Sequence, residues 1–228
     1  MARLQTGLNV MQFVLPYSGL QWSDLPFMLE GAWRTIMLTI MAGSLGTLLG
    51  VIVGWLRETF VSFRIGLIPF IDVIRSVPLI IQFILVNSFQ SILGFQFDPF
   101  WIGVVTLSIY MAVLTSELVR AGLQSVRPEL SRAGRSLGMS YWQGFLHIRA
   151  PLAIRTALPG WIGALIALTK DTALVSVIGY IELLRAAQVL INRSNEALLI
   201  LAGVGLFYFV ICYPVSLYAR RLERRLAI

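Results

Sequence analysis

Beyond the first 27 residues, five long stretches without a charged residue divide the chain, at 35–56, 76–97, 99–116, 156–169 and 197–219. At about 1.5 Å of rise per helical residue, the first, second and fifth cross a hydrocarbon core of about 30 Å unaided. The third needs its flanks. The fourth is long enough only if it runs on through Lys170 and Asp171 to about residue 181, which puts a charged pair inside or at the edge of the span. The pattern predicts an all-α fold, a polytopic membrane helical bundle of about five transmembrane helices. No internal repeat or low-complexity linker divides it.

Basic residues sit between and after the apolar stretches. With the N-terminus outside, the inner connections and tail carry twelve Arg, from Arg57 and Arg64 through the loop after the third span to Arg220, Arg221, Arg224 and Arg225, against three outside, Arg3, Arg185 and Arg193. The positive-inside rule therefore orients the chain N-out and C-in. Arg34, Arg75 and Lys170 lie in or at the ends of spans. Segment 1–27 mixes Arg3, Asn9, Pro16, Asp24 and Pro26 with apolar residues and lacks the layout of a secretory signal, so it reads as an N-terminal periplasmic or interfacial segment. Residues 28–220 form the transmembrane domain and 221–228 a basic cytoplasmic tail.

Composition agrees. Of 228 residues, 57% are apolar and 13% charged, where an average soluble domain has about 25% charged. The mean hydropathy is +0.81. A net charge of +7 would suit nucleic acid, but its placement between spans is an orientation signal. One Cys (Cys212) and one His (His147) exclude a disulfide framework and a His/Cys metal site within the chain. The only Lys, Lys170, follows Leu168 and Thr169, so there is no G-x-x-x-x-G-K-[ST] loop for nucleotide.

The most informative segment is the loop at 117–151 after the third span. Pro128 suits a helix start, and Leu130, Ala133, Leu137 and Tyr141 recur at spacings of three and four, with Arg132, Arg135, Ser136 and Ser140 on the other face. Gly134 and Gly138, four apart, leave a bare patch where another backbone can approach. Periodicity alone leaves open a helix lying on the inner leaflet.

Arg132-Ala133-Gly134, then Gly138, then Ile148 and Pro151, resembles the E-A-A, three residues, G, nine residues, I-x-L-P signature of permease subunits in binding-protein-dependent ABC importers. The stretch Arg75 to Gln82 resembles the arginine-x-x-proline-leucine segment of the polar amino acid branch (histidine, glutamine, glutamate, arginine). Segments 117–126 and 170–179 resemble its third-helix exit and fourth-helix segment. The resemblance covers roughly 28–220 and departs from the signature at Arg132 for Glu, Gly134 for Ala and Ala150 for Leu. It implies that the loop, at about 120–150, is a short cytoplasmic coupling helix docking on an ATPase, with Arg132, Ala133, Gly134, Gly138, Ile148 and Pro151 as coupling residues. It also implies a bacterial inner-membrane location and three kinds of protein partner: two copies of an ABC ATPase, a second permease subunit (identical or homologous) and a periplasmic amino-acid-binding protein. The lipid bilayer surrounds the chain, and no nucleic acid is involved. No cofactor belongs to this chain, because ATP and Mg are bound by the partner ATPase, and the chain is not itself an enzyme.

Polar residues within spans are costly and are candidates for the solute path: Arg75, Gln82, Glu117, Thr169, Lys170, Asp171, Thr172 and Ser176. Each has a structural reading too. Asp72 and Arg75 can pair within a helix, Gln82 can bond a neighbouring helix, Glu117 can pair with Arg120, and Lys170 can snorkel. Adjacent Lys170 and Asp171 point in different directions and cannot simply neutralise each other. Thr169, Thr172 and Ser176 are expected on one helical face. Gly43, Gly46, Gly50 and Gly54 form a small-residue ridge, against a second copy or within the chain.

Two function classes follow. One is the permease subunit of an ATP-driven ABC importer, giving an alternating-access path to a polar amino acid or similar zwitterion. The other is an ion- or proton-coupled secondary carrier or channel subunit, with Glu117, Lys170 and Asp171 as coupling groups. Five spans without an inverted repeat are poor material for a carrier.

Overall fold

The structure is a computed structural model and describes residues 19–226. Arg3 and residues 1–18 of the N-terminal segment, with residues 227–228 of the tail, lie outside the described residues.

Helix α1 (Asp24–Thr59) has 36 residues and therefore projects beyond a bilayer core, being about 54 Å long. Helices α2 (Val61–Ser76) and α3 (Leu79–Ile92) follow, bent by 108° at the break between them. Helix α4 (Pro99–Ser125) starts where Asp98 accepts a hydrogen bond from the Phe100 N–H and Pro99 takes the first position. The loop beyond folds into α5 (Pro128–Ser136), α6 (Tyr141–Gly144) and a π-turn (Phe145–Arg149). Helix α7 (Ala150–Asp171) tightens into a 3-10 stretch (Thr172–Ile178) that ends at Gly179, whose φ is +89°. Helix α8 (Leu183–Ser194) and α9 (Ala197–Leu226) complete the chain. Among the described residues four helical segments are long and apolar enough to span a membrane, or five when α2 and α3 count as one bent span.

The principal contact is α1 against α4. A Cβ on Gly46 would lie 2.6 Å from Met111 Cβ, and one on Gly50 would lie 2.5 Å from Thr115 Cβ. The glycine ridge is therefore filled within the same chain, by α4 at Gly46, Gly50 and Gly54 and by Leu165 and Leu168 of α7 at Gly43. Around it Leu38, Phe83, Leu107, Met111, Leu168 and Val175 form the central core. Large apolar residues such as Leu48, Phe89 and Leu206 stand exposed on the outer faces, as a lipid solvent requires.

One sequence expectation changes, the third span gains the flank it needs, and one connection turns out to be helical. The stretch 76–97 is not a straight span: Val77 is extended and Pro78 starts the new helix, so the backbone turns at the very start of the uncharged run. Gln82 closes the break, its amide donating to the Ile74 and Val77 carbonyls at 2.8 Å each. The third span extends to Ser125. The connection after the fourth span contains α8, which buries Leu183, Ala186, Ala187 and Leu190 while Arg185 and Asn192 stay exposed. Arg193 of α8 pairs with Asp24 at the start of α1.

Candidate functional site

The loop after α4 folds as a unit of its own. Pro128 sits in the first turn of α5, Glu129 faces the positive helix start and Arg135 the negative end. The helix stops at Ser136, earlier than the stripe Leu130, Ala133, Leu137, Tyr141 suggests. Gly138 has φ +82°, its N–H donates to the Arg135 carbonyl, and the Met139 N–H donates back to the Gly134 carbonyl. That is a Schellman closure, which needs a residue free to take the left-handed conformation. Gly134 serves differently: a Cβ there would lie 2.8 Å from Ile148 Cδ1 and 3.3 Å from Met139 Sδ. The two glycines thus do not form one bare patch. Gly138 lies past the helix end, and the space over Gly134 is filled by Ile148 and Met139 of the same chain.

Beyond the closure, Ser140 and Gln143 form a reciprocal capping box that starts α6. The π-turn then comes immediately before Pro151, whose ring and missing N–H forbid the ordinary bond back to His147. Arg132, Ala133, Arg135 and Leu137 face outward, and Leu137 is 81% exposed.

The polar positions of the bundle are scattered. Arg75 stands exposed in the last turn of α2, where a cation suits the helix end, and makes no ion pair with Asp72. Glu117 accepts from Arg57 at 2.8 Å and pairs with Arg120 at 3.4 Å. The hydroxyls of Thr169 and Thr172 donate to the Leu165 and Thr169 carbonyls. Because α7 gives way to three residues per turn at Thr172, Ser176 is rotated about a third of a turn from Thr172 rather than sharing its face. Lys170 is exposed and Asp171 half-buried; the two charges act on each other, and each also reaches a different neighbour, Lys170 acting on Cys212 of α9 and Asp171 on Tyr110 of α4. Gln82 and Thr106 border a small cavity of about 220 Å³ between the α2–α3 elbow and α4. Among the described residues no group of three His, Cys, Asp or Glu is placed to hold a metal.

Sequence reasoning missed Glu182. It is fully buried and caps α8, its carboxylate oxygens accepting from the Leu184 and Arg185 N–H groups at 2.7 and 2.8 Å. The Leu183 N–H goes to Thr35 of α1 at 3.2 Å. Burial pushes the carboxyl up to about 7, against the pull of the two backbone bonds. The folded state then holds a proton that the unfolded chain releases above about pH 4.5. Stability is expected to fall as pH rises from about 4.5 to 7 and to level off beyond, by up to about 3 kcal/mol. Melting in detergent across that range should show a slope in the wild type that Glu182→Gln removes; parallel curves would refute it.

The model of one family, described as binding-protein-dependent transport system inner membrane component, matches residues 46–228. The chain belongs to this family. It is 34% identical over 214 residues to the glutamine transport system permease protein GlnP of Escherichia coli K12, covering 91% of this chain and 96% of that protein. It is 31% identical over 205 residues to the arginine transport system permease protein ArtQ of Bacillus subtilis 168, covering 89% and 94%. Among solved structures, an amino acid ABC transporter with histidines superposes with a TM-score of 0.81 at 28% identity, over 91% of this chain and all of that one. An inward-facing MetNI methionine ABC transporter superposes at 0.73 with 20% identity, a likeness of fold.

Proposed function

We propose that this chain is the transmembrane subunit of an ATP-driven importer for a polar amino acid or similar small zwitterion. It pairs with itself or a sister permease, binds two ATPase subunits at the coupling-loop end, and receives solute from a binding protein at the opposite end. One observation carries the reading. The connection at 126–149 is a separately closed helical unit that presents Arg132, Arg135 and an exposed Leu137 away from the bundle, the form expected of a handle for an engine. The relatives are permeases for glutamine and arginine, which sets the solute class.

Mechanism follows from the build. ATP binding closes the ATPase pair, the docked α5 moves with it, and the bundle reopens toward the binding protein. Arg132, Ala133, Gly134, Gly138, Ile148 and Pro151 serve coupling, some by contact and some by shaping the unit. The polar groups on α2, α3 and the fourth span, with Lys170 and Asp171 foremost, line the path, because a zwitterion leaving water needs partners of both signs.

Reconstitution tests this. The permease, its ATPase and its binding protein in liposomes should import radiolabelled glutamine, arginine, glutamate or histidine only with ATP on the ATPase side and binding protein on the other. Import by the permease alone, driven by an ion gradient, would make the chain a secondary carrier.

A further inference from the structure

The last turn of α1 holds a cluster that neither the coupling signature nor the solute path uses. Trp55 stacks on Trp142 of α6 with ring centres 5.8 Å apart, and meets Phe145 of the π-turn edge-on at 6.5 Å. One helical turn later, Glu58 pairs with Arg149 at the end of the π-turn, at 3.7 Å. Trp55 and Glu58 are three apart and so share one face of α1. Between them Arg57 turns the other way. Only 4% exposed, it donates to Ser116 Oγ at 3.1 Å and to Glu117 Oε1 at 2.8 Å on α4. The second oxygen of Glu58 accepts from Gln124 of α4 at 3.0 Å. Just above, a Cβ on Gly54 would lie 2.8 Å from the Ser116 carbonyl. The end of α1 is thus clamped to α4 on one side and braced against the coupling unit on the other.

Helix α5 packs on α6 and the π-turn. A displacement of α5 can therefore leave the unit by its two covalent continuations, back into α4 through Val126 and Arg127 and on from the π-turn into α7, or through the contacts of Trp142, Phe145 and Arg149 with α1. We propose that Trp55 and Glu58 form, with these three residues, a second joint through which movement of the coupling helix reaches the locked α1–α4 pair. The proposal rests on the importer reading above. Trp55, Glu58 and Arg149 are positioning residues, acting on the path through α1 and α4. The joint lies at the end of the bundle, outside its buried clusters, with Trp142 55% exposed and Arg149 and Glu58 still 27% and 18% exposed, so loosening it leaves the bundle packed. Without it α1 is left to follow through α4 alone, and ATP is hydrolysed without matching import.

Charge reversal decides the matter in the reconstituted permease–ATPase–binding-protein complex, read as radiolabelled amino acid imported per ATP hydrolysed, beside complex yield. Glu58→Arg and Arg149→Glu are each expected to lower that ratio at least about fivefold while yield stays within about twofold, and the double swap is expected to restore it. If either reversal prevents assembly, Trp142→Leu takes its place, with the same expected loss of ratio at normal yield. A ratio within about twofold of wild type in the single variants, or a loss that the swap does not restore, overturns the joint. A wild-type complex without ATP-driven import instead overturns the importer reading, before any variant is compared.

Discussion

Gly50→Ala is expected to destabilise the permease severely, whereas Gly205→Ala, the same chemical change on α9, is expected to be neutral or slightly stabilising. At Gly50 the new methyl would sit 2.5 Å from Thr115 Cβ and 2.7 Å from the Ala112 carbonyl, while nothing lies within 4 Å of a Cβ on Gly205. Both substitutions gain the helix propensity of alanine, about 1 kcal/mol. Only Gly50→Ala forces two backbones apart, and one of the obstacles is a main-chain oxygen that cannot swing aside. Overpacking of a fitted interface costs about 1–3 kcal/mol, and more when a whole helix must shift. Because α1 and α4 meet along Gly46, Gly50 and Gly54, the displacement is levered along the entire contact. Heating of the detergent-solubilised protein should separate the two variants by about 10 °C or more. Equal melting would mean that the close approach of α1 and α4 is not what holds the bundle.

The same ridge shows how far a sequence of this kind can be read. Gly43, Gly46, Gly50 and Gly54 announce a close helix contact through their spacing, yet spacing says nothing of which helix arrives, and Met111 and Thr115 carry no mark of their own. The spans are legible because lipid tolerates neither charge nor unpaired backbone, so each leaves an uncharged run. The elbow at Val77 and Pro78 falls at the very start of the uncharged run 76–97, so the run reads as one span, and Gln82 is the amide that takes up the carbonyls freed at the break. Helix α8 has a strong two-sided pattern, but at 12 residues and with polar ends it resembles a connection in any span-length window.

At the coupling unit the sequence misleads in one place for a physical reason. Leucine at 137 and tyrosine at 141 continue the apolar period past the point where Gly138 breaks the helix, and a Schellman closure commonly brings apolar residues just beyond a helix end. The ion pair of Arg57 with Glu117 joins residues far apart in sequence, and periodicity finds only local partners such as Arg120. Long-range polar pairs of this sort become visible once α1 is known to lie on α4.

That closure also isolates the residue whose loss should matter most for coupling. Met139 turns back against Gly134, and Leu137, at the cap position, is left 81% exposed with its side chain unused by the fold. On the importer reading proposed above, an exposed leucine beside Arg132 and Arg135, outside the spans, is the apolar group this unit offers to the ATPase. Leu137→Asp is therefore expected to leave insertion and melting unchanged and to weaken ATPase binding by about 2–4 kcal/mol, or roughly 30- to 1,000-fold, which would abolish import. Gly138→Ala supplies the contrast. Nothing crowds its new methyl, but φ at +82° strains any L-residue by about 1 kcal/mol, so the unit loosens while the contact residue stays. Co-purification of the ATPase should fall steeply for Leu137→Asp and only slightly for Gly138→Ala. The reverse order would mean that the shape of the closure, and not the leucine it displays, is what the ATPase grips.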